Sequence, residues 1–400
     1  MKRCWIHIGM HKTGTTSVQV NLAKVKKPKG WRFLTVGGSP NMGQALYAMF
    51  SPEPHKFHWF VKRGKTPEEV AEEGARLRRR LSKAIRRCDR ENIIISGEAL
   101  SLVEDEGIAA LRDFLKPLCD EVRIIGYVRS PMAFRMSIFQ QQMKHGKNDF
   151  NVADIKLRYR RKFEKFDQVF GRENVILRKF DPARFTHQCI VADFCEQIGI
   201  EPLPREEISR ANESLSREAC GILYAYRKFG PGYGVGESVI RENIRVIAPL
   251  LAMRGAKFKV SEAIVKVGLD LEKKDIRWME KRLGASLQEN LKDDGTEVAS
   301  EEDLLTVSRA SCGQFAARFL EIHGIAIPPE KIPAGDPVDP RRVAEFVDYC
   351  RGLCRDKIET ERTLRRKLRA GRKRLLGRCA DFIKTLMGRK PQAARKRKRR

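Results

Sequence analysis

Long uncharged hydrophobic segments are missing from this sequence of 400 residues. It contains no run of about 18 or more apolar residues, the length that a membrane-spanning helix needs. After Met-Lys-Arg, the apolar stretch Cys4-Trp-Ile-His-Ile8 is too short for the core of a signal peptide. We therefore expect neither a membrane span nor an export signal.

Cysteines at the spacing of a metal or redox site are also missing. The 10 cysteines are scattered through ordinary periodic segments, and none forms a C-x-x-C pair. This distribution argues against a disulfide framework and against a zinc ribbon, and it favours reduced thiols. We expect a cytoplasmic protein without a metal ion.

Acidic residues are scarce relative to basic ones, and the 51 acids against 80 Lys and Arg give a net charge of +29. Such an excess implies anionic partners of some kind. It is strongest from Arg365 to Arg400, where 17 basic residues accompany one acid, Asp381. Apolar residues near helical spacing, such as Leu368 and Leu375, are compatible with a basic amphipathic helix on an anionic membrane. A polyanion-binding segment and a solvated tail remain open alternatives.

Short Ile- and Val-rich runs alternate with longer helical patterns over about the first 200 residues, which is typical of βα units around a parallel sheet. The patterns predict strands at Trp5–Ile8, Arg32–Thr35, Asn92–Ser96, Val122–Val128 and Asn174–Phe180. They predict helices at Thr15–Val25, Pro67–Asp89, Glu106–Leu115, Met132–His145, Val152–Phe170 and His187–Ile198. The expected fold is a three-layer α/β/α structure with a central parallel sheet, like that of P-loop proteins.

Glycines and a proline at Gly230–Gly236 interrupt both kinds of regular structure. We therefore predict an α/β domain over residues 1–230. A mostly helical extension over residues 231–360 would complete or flank it, and the basic tail would occupy residues 361–400.

The first predicted strand runs into the loop Gly9-Met-His-Lys-Thr-Gly-Thr-Thr16, which leads directly into a helix. Such a loop can hold phosphate oxygens with backbone N–H groups at a helix N-terminus. In a nucleotide triphosphatase the lysine follows the second glycine and precedes a Ser or Thr that ligates Mg²⁺. Here Lys12 precedes Gly14, so the order does not fit a triphosphatase.

Two further strands end in polar side chains at the sheet edge where this loop lies. Arg129 follows the strand Val122–Val128, and Ser137 lies eight residues later on the next helix. The guanidinium can bind a phosphate through two hydrogen bonds, with Ser137 facing the same crevice. The strand Asn92–Ser96 is followed by Glu98, which adds a carboxylate at the same sheet edge.

The segment Ile8-Gly-Met-His-Lys-Thr-Gly-Thr-Thr-Ser-Val-Gln19 resembles the 5′-phosphosulfate-binding loop of sulfotransferases that use 3′-phosphoadenosine 5′-phosphosulfate (PAPS), in particular bacterial carbohydrate-type members. Arg129 and Ser137 are similar to the family's 3′-phosphate-binding element, and the resemblance covers about Met1–Lys228. It implies transfer of a sulfuryl group from PAPS to a hydroxyl or amine, with a carbohydrate or glycolipid as acceptor. The donor-binding residues that it implies are Lys12, Thr13, Gly14, Thr15, Thr16, Arg129 and Ser137.

In that family the counterpart of Lys12 contacts the bridging oxygen and the sulfuryl group, and a glutamate at the position of Glu98 is the general base in several members. His11, inside the loop, is the rival candidate for the base. A carboxylate or an imidazole within reach can take the proton of the attacking hydroxyl.

Two other classes of function stay open, a P-loop-type kinase or triphosphatase and a basic, non-catalytic polyanion-binding protein. We expect no specific nucleic-acid partner, because the sequence lacks zinc-finger spacing and RNP-like aromatic motifs. The basic tail would allow a peripheral position on the inner membrane face.

Overall fold

The computed structural model describes residues 1–26, 28–209, 214–289, 295–361 and 363. Its centre is a five-stranded sheet in which every pairing is parallel, with the strand order β2-β3-β1-β4-β5. The strands are β1 (Arg3–His7), β2 (Trp31–Phe33), β3 (Asn92–Ser96), β4 (Glu121–Val128) and β5 (Val175–Lys179). Since the chain builds outward from β1 in both directions, the crevice beside the end of β1 is where such sheets bind ligands.

Alternate residues of the strands bury their side chains in two separate apolar layers, because successive side chains of a strand point to opposite faces. Ile6 and Ile95 belong to the larger layer, while Trp5 and Ile94 belong to the smaller one. The larger layer includes residues of the helices over Pro67–Arg87, Asp105–Leu115 and Tyr159–Phe170, and the smaller includes residues of those over Thr15–Lys24 and Ile190–Gln197. The predicted three-layer α/β/α fold is confirmed.

The helices of the described residues are, in chain order, α1 (Thr15–Lys24), α2 (Gly43–Phe50), α3 (His58–Val61), α4 (Pro67–Arg87), α5 (Asp105–Leu115), α6 (Pro131–Lys144), α7 (Tyr159–Phe170), α8 (Ile190–Gln197), α9 (Arg217–Phe229), α10 (Glu237–Ala252), α11 (Glu262–Leu271), α12 (Lys273–Leu283), α13 (Glu301–Leu305), α14 (Arg309–His323) and α15 (residues 340–361). None of them is long and apolar enough to span a lipid bilayer.

The strands lie where the sequence predicts them, and so do α1, α4, α5 and α6 to within two residues at each end. The single helix predicted at Val152–Phe170 is wrong. A short 3₁₀ turn covers Val152–Asp154, and α7 begins only at Tyr159. Arg158 has a left-handed backbone (φ 53°), and Asp275 accepts hydrogen bonds from the N–H groups of Tyr159 and Arg160, at 2.6 and 2.8 Å. This distant carboxylate caps the new helix start, as anionic groups at helix N-termini do.

Two helices next to the sheet edge, α2 and α3, were not among the predictions, and α8 starts three residues later than predicted. Helix α2 packs tightly against α4. A Cβ on Gly74 would lie 2.3 Å from the carbonyl oxygen of Ala48, so only glycine allows this approach. His187 takes a left-handed conformation (φ 53°), which delays the start of α8.

Helices from the second half of the chain pack directly against the first half. Arg135 on α6 is fully buried and pairs with Glu272 at 2.6 Å. Arg282 on α12 binds Asp167 on α7 through two hydrogen bonds of 2.6 and 2.8 Å. The contacts thus cross the predicted boundary at residue 230. Residues 364–400, nearly all of the predicted basic tail, lie outside the described residues.

Candidate active site

The loop between β1 and α1 is held closely between the neighbouring strands. Gly9 and Gly14 both have left-handed backbones (φ 72° and 73°), which favour glycine. A Cβ on Gly9 would lie 2.8 Å from the Cβ of Glu98, and one on Gly126 of β4 would lie 2.9 Å from the carbonyl oxygen of Gly9. Glycines at positions 9 and 126 therefore let the loop sit against Glu98 on one side and β4 on the other.

Lys12 also takes a left-handed backbone conformation, with φ 66°. For a residue with a Cβ this costs roughly 1–2 kcal/mol. The side chain of Thr13 stabilises the turn, because its hydroxyl donates to the carbonyl of Met10 at 2.6 Å. Strain of this kind accumulates at ligand-binding loops, where the rest of the fold enforces it.

The start of α1 presents hydrogen-bond donors that no side chain caps. Its N-cap residue is Gly14, which provides no side-chain acceptor for the N–H groups of the first turn. The hydroxyl oxygen of Thr15 is buried, and no other described residue forms a hydrogen bond with it. Thr16 faces the adjoining cavity. The positive end of the helix dipole and these free donors suit an anionic ligand.

The guanidinium of Arg129, at the end of β4, connects the loop to α6. Its Nη1 donates to the carbonyl oxygen of Lys12 and lies 3.4 Å from the hydroxyl oxygen of Ser137. Its Nε is buried and has no hydrogen-bond partner among the described residues. Burial lowers the pKa of Arg129, and the nearby carboxylate of Glu289 opposes that effect. An arginine stays charged even so, so the site holds a partly desolvated cation with an unused donor.

The predicted catalytic candidates Glu98 and His11 line one cavity of about 640 Å³ together with Thr16. Glu98 opens a 3₁₀ turn, Glu98–Leu102, directly after β3. Burial lowers the pKa of His11 to about 4, and the positive charges of Lys162 and Lys12 act in the same direction. The imidazole of His11 is therefore neutral at pH 7 and is able to accept a proton.

The other walls of this cavity come from residues that the sequence did not single out. They are Asn41, Gly43, Gln44, Phe57, His58, Trp59, Lys62, Ala99, Ile138, Gln141, Gln142, His145, Gly146 and Lys147. One local signal was available, since four of them (Phe57, His58, Trp59 and Lys62) belong to the dense cluster of histidines, aromatics and lysines over residues 55–62. The remainder come from the loop before α2 and from the end of α6, which only the fold brings together.

A polyanion fits this donor set better than a metal ion does. The loop, the start of α1 and Arg129 contribute N–H groups, a hydroxyl and cationic side chains, which bind phosphate or sulfate oxygens. Within the described ranges, no group of three or more His, Cys, Asp or Glu side chains is arranged to hold a metal ion. The structure thus places Arg129 against the loop at Lys12 and beside Ser137, and it places His11, Thr16 and Glu98 on one cavity. The roles predicted for these residues stay predictions.

The chain matches no protein-family model, and no curated protein matches it in sequence. It is similar to the solved structure of a sulfotransferase from Alicyclobacillus acidocaldarius, with 11% identity and a TM-score of 0.31, over 57% of this chain and 93% of that one. It is also similar to the sulfotransferase domain of a Synechococcus olefin synthase, with 14% identity and a TM-score of 0.31, over 52% of this chain and 76% of that one. A third similar structure is the sulfotransferase domain from the curacin biosynthetic pathway, with 10% identity and a TM-score of 0.30, over 52% of this chain and 76% of that one. At these scores the alignments do not assign this chain to a family.

Proposed function

We propose that this protein transfers a sulfuryl group from PAPS to a hydroxyl or amine of a carbohydrate or glycolipid. The observation that carries the proposal is the position of Arg129, whose guanidinium contacts the loop at Lys12 and the helix α6 at Ser137. One cation thus lies where a phosphate-binding loop meets a second anion-binding element. A donor with phosphates at both the 5′ and the 3′ position of its ribose matches such a pair of elements.

The two ends of the donor have separate binding groups in this proposal. The loop and the uncapped start of α1, with the hydroxyl of Thr15, bind the 5′-phosphosulfate. Arg129 and Ser137 bind the 3′-phosphate. Lys12 stabilises the negative charge that develops on the leaving adenosine 3′,5′-bisphosphate, and such stabilisation accelerates the reaction when it is stronger in the transition state than in the ground state.

The cavity beside the loop binds the acceptor. The acceptor oxygen or nitrogen attacks sulfur, the bond from sulfur to the bridging phosphate oxygen breaks, and its electron pair leaves with the bisphosphate. The proton of the acceptor goes to Glu98 or to the neutral imidazole of His11, both of which line the cavity. Both groups are candidates for the base, and mutagenesis distinguishes between them.

The composition of the cavity supports a carbohydrate as acceptor. Four of the residues that line it, Asn41, Gln44, Gln141 and Gln142, carry side-chain amides. Each amide both donates and accepts hydrogen bonds, as sugar hydroxyls do. The half-buried ring of Trp59 adds an apolar surface on which a sugar ring could pack.

Calorimetry with three ligands tests the proposed donor. We expect adenosine 3′,5′-bisphosphate to bind without Mg²⁺ and more tightly than ATP or duplex DNA, and we expect Lys12→Ala to weaken this binding. Tight binding of ATP that depends on Mg²⁺, without affinity for the bisphosphate, would contradict the proposal and would favour a kinase or triphosphatase. Preferential binding of DNA would favour the non-catalytic polyanion binder.

The acceptor is identified by incubation of the enzyme with donor labelled in the sulfuryl group and with cell-surface extracts. We expect the label in the glycan or glycolipid fraction. Label in protein tyrosine or in a small alcohol would contradict a carbohydrate acceptor.

We also propose that the basic tail brings the enzyme to an anionic membrane surface, where a lipid-linked acceptor would lie. Basic residues near such a surface contribute about 1 kcal/mol each. Co-sedimentation with anionic liposomes, comparing the full chain with a chain that ends at Ile358, measures the effect. We expect only the full chain to pellet, and equal pelleting would refute the membrane role.

A further inference from the structure

The acceptor cavity has a cationic wall. Lys62, which follows α3, and Lys147, which follows α6, both line it. The sole carboxylate among its described lining residues is Glu98. Lys147 pairs with Asp149 at 3.9 Å, so Lys62 is the lining cation that matters most for an anionic group in this cavity.

The ammonium of Lys62 is held in place by groups that do not neutralise it. It donates to the carbonyl oxygen of His145 at 2.6 Å and lies 4.6 Å from the ring centre of Tyr233. Burial and the positive charge of Arg227 lower the pKa of Lys62 to about 8. The group is still mainly protonated at pH 7, but it carries a desolvation cost that an anionic partner would offset.

The two histidines beside Lys62 are neutral at pH 7 and supply hydrogen bonds instead of charge. Burial and the charge of Lys62 lower the pKa of His145 to about 4, and the same two causes lower the pKa of His58. The Nδ1 of His145 lies 2.9 Å from the carbonyl oxygen of Gln141, which fixes Nδ1 as the donor. The Nε2 of the neutral ring is then an acceptor. Positive charge on this wall therefore comes from the lysines.

We propose that the acceptor carries an anionic group, a carboxylate or a phosphate ester, near the hydroxyl or amine that receives the sulfuryl group, and that Lys62 binds this anion. The inference rests on the proposed sulfotransferase function, since it assumes that the cavity beside the loop binds the acceptor. The anionic group is a requirement on the acceptor that the donor site alone does not impose. A neutral sugar of the same shape would leave the half-buried ammonium of Lys62 without a charged partner.

A matched pair of sugars tests the proposal, methyl β-D-glucuronide and methyl β-D-glucoside, which share a ring and differ at C6. Each is titrated by calorimetry, at up to tens of millimolar, into enzyme saturated with adenosine 3′,5′-bisphosphate. A charge-assisted hydrogen bond is worth about 1.5–3 kcal/mol, so we expect the glucuronide to bind at least about tenfold more tightly. Equal affinities, or no detectable binding of the glucuronide, would overturn the proposal.

Variants of Lys62 connect the preference to this side chain. Lys62→Met should abolish the preference for the glucuronide, and Lys62→Arg, which keeps the charge, should retain most of it. The matched control is Lys65→Met, because Lys65 lies three residues away, does not line the cavity and pairs with Glu69 at 3.6 Å. A preference that survives in folded Lys62→Met would overturn the assignment, and so would its loss in Lys65→Met.

The failure of this inference is distinguishable from failure of the proposed function. Binding of adenosine 3′,5′-bisphosphate is measured first and does not depend on Lys62. If the bisphosphate does not bind, the sulfotransferase proposal fails and this inference fails with it. If the bisphosphate binds and the two sugars do not differ, only the anionic acceptor is refuted.

Discussion

Replacement of Arg129 by lysine keeps the positive charge at the end of β4 but removes the planar guanidinium. In the structure this group contacts the carbonyl of Lys12 and the hydroxyl of Ser137 and still has a buried, unused Nε–H. A lysine ammonium is a point charge on a shorter stem and cannot form the paired hydrogen bonds of the fork. The variant should therefore lose hydrogen bonds to the 3′-phosphate while it keeps part of the charge attraction.

The expected loss is one charge-assisted hydrogen bond, about 1.5–3 kcal/mol. This corresponds to roughly 10- to 150-fold weaker binding of adenosine 3′,5′-bisphosphate. Adenosine 5′-phosphate lacks the 3′-phosphate, so its affinity should change by less than about threefold. The comparison of two ligands on two proteins forms a cycle that isolates the interaction of Arg129 with the 3′-phosphate.

Calorimetric titration of both nucleotides into both proteins measures the four affinities. Arg123→Lys is the matched control, because Arg123 lies on the same strand but binds Glu121 far from the loop, and it should leave both affinities unchanged. Equal weakening of both nucleotides by Arg129→Lys would refute the assignment to the 3′-phosphate. It would show instead that Arg129 supports the loop through the carbonyl of Lys12.

Three further predictions concern catalysis and stability. Lys12→Ala should lower kcat for sulfuryl transfer by about 100-fold or more through loss of the stabilising ammonium, and an unchanged kcat in a labelled-donor assay would exclude that role. Glu98→Gln should lower kcat by about 10²–10⁴-fold without weakening the bisphosphate if Glu98 is the base, whereas a small effect beside a large one for His11→Asn would reassign the base. Burial lowers the pKa of His7 to about 3, and a histidine of the unfolded chain titrates near 6.5, so the unfolded state binds more protons as the pH falls below 6.5 and stability is lost. The His7 contribution to that loss is about 2 kcal/mol between pH 7.5 and 5. His7→Asn keeps an acceptor for the hydroxyl of Ser96, which lies 3.0 Å from His7 in the wild type. Urea unfolding at pH 7.5 and at pH 5 should therefore show a smaller loss of unfolding free energy in this variant than in the wild type. Equal losses in the two proteins would contradict the lowered pKa of His7.

The sheet and the loop were predictable because their signals are local. The run of three isoleucines in Asn92–Ser96 predicts a buried strand from its own residues, and β3 has these bounds in the structure. The order of Gly9, Lys12 and Gly14 predicts an anion-binding turn without knowledge of its neighbours. The strand order then brings Glu98 against Gly9, since parallel strands end at one edge of the sheet.

The failures arose where residues distant in sequence decide the local structure. The predicted helix over Val152–Phe170 ignored Asp275, whose carboxylate caps α7 from 116 positions away. The position of Lys62 on the cavity escaped prediction for the same reason, since Lys62 meets the carbonyl of His145 only in the folded chain. The sequence contains His58 and His145 but gives no sign that they line one cavity.

The buried pair of Arg135 and Glu272 constrains how this chain is made on the ribosome. Arg135 is synthesised well before its partner, and at 5–20 residues per second the interval is roughly 7 to 27 s. If α6 packed into its final position during that time, the buried guanidinium of Arg135 would lack its charged partner Glu272, at a cost of about 3–5 kcal/mol. Helix α6, which carries Ser137, should therefore reach its final packing only after the start of α12 has been synthesised.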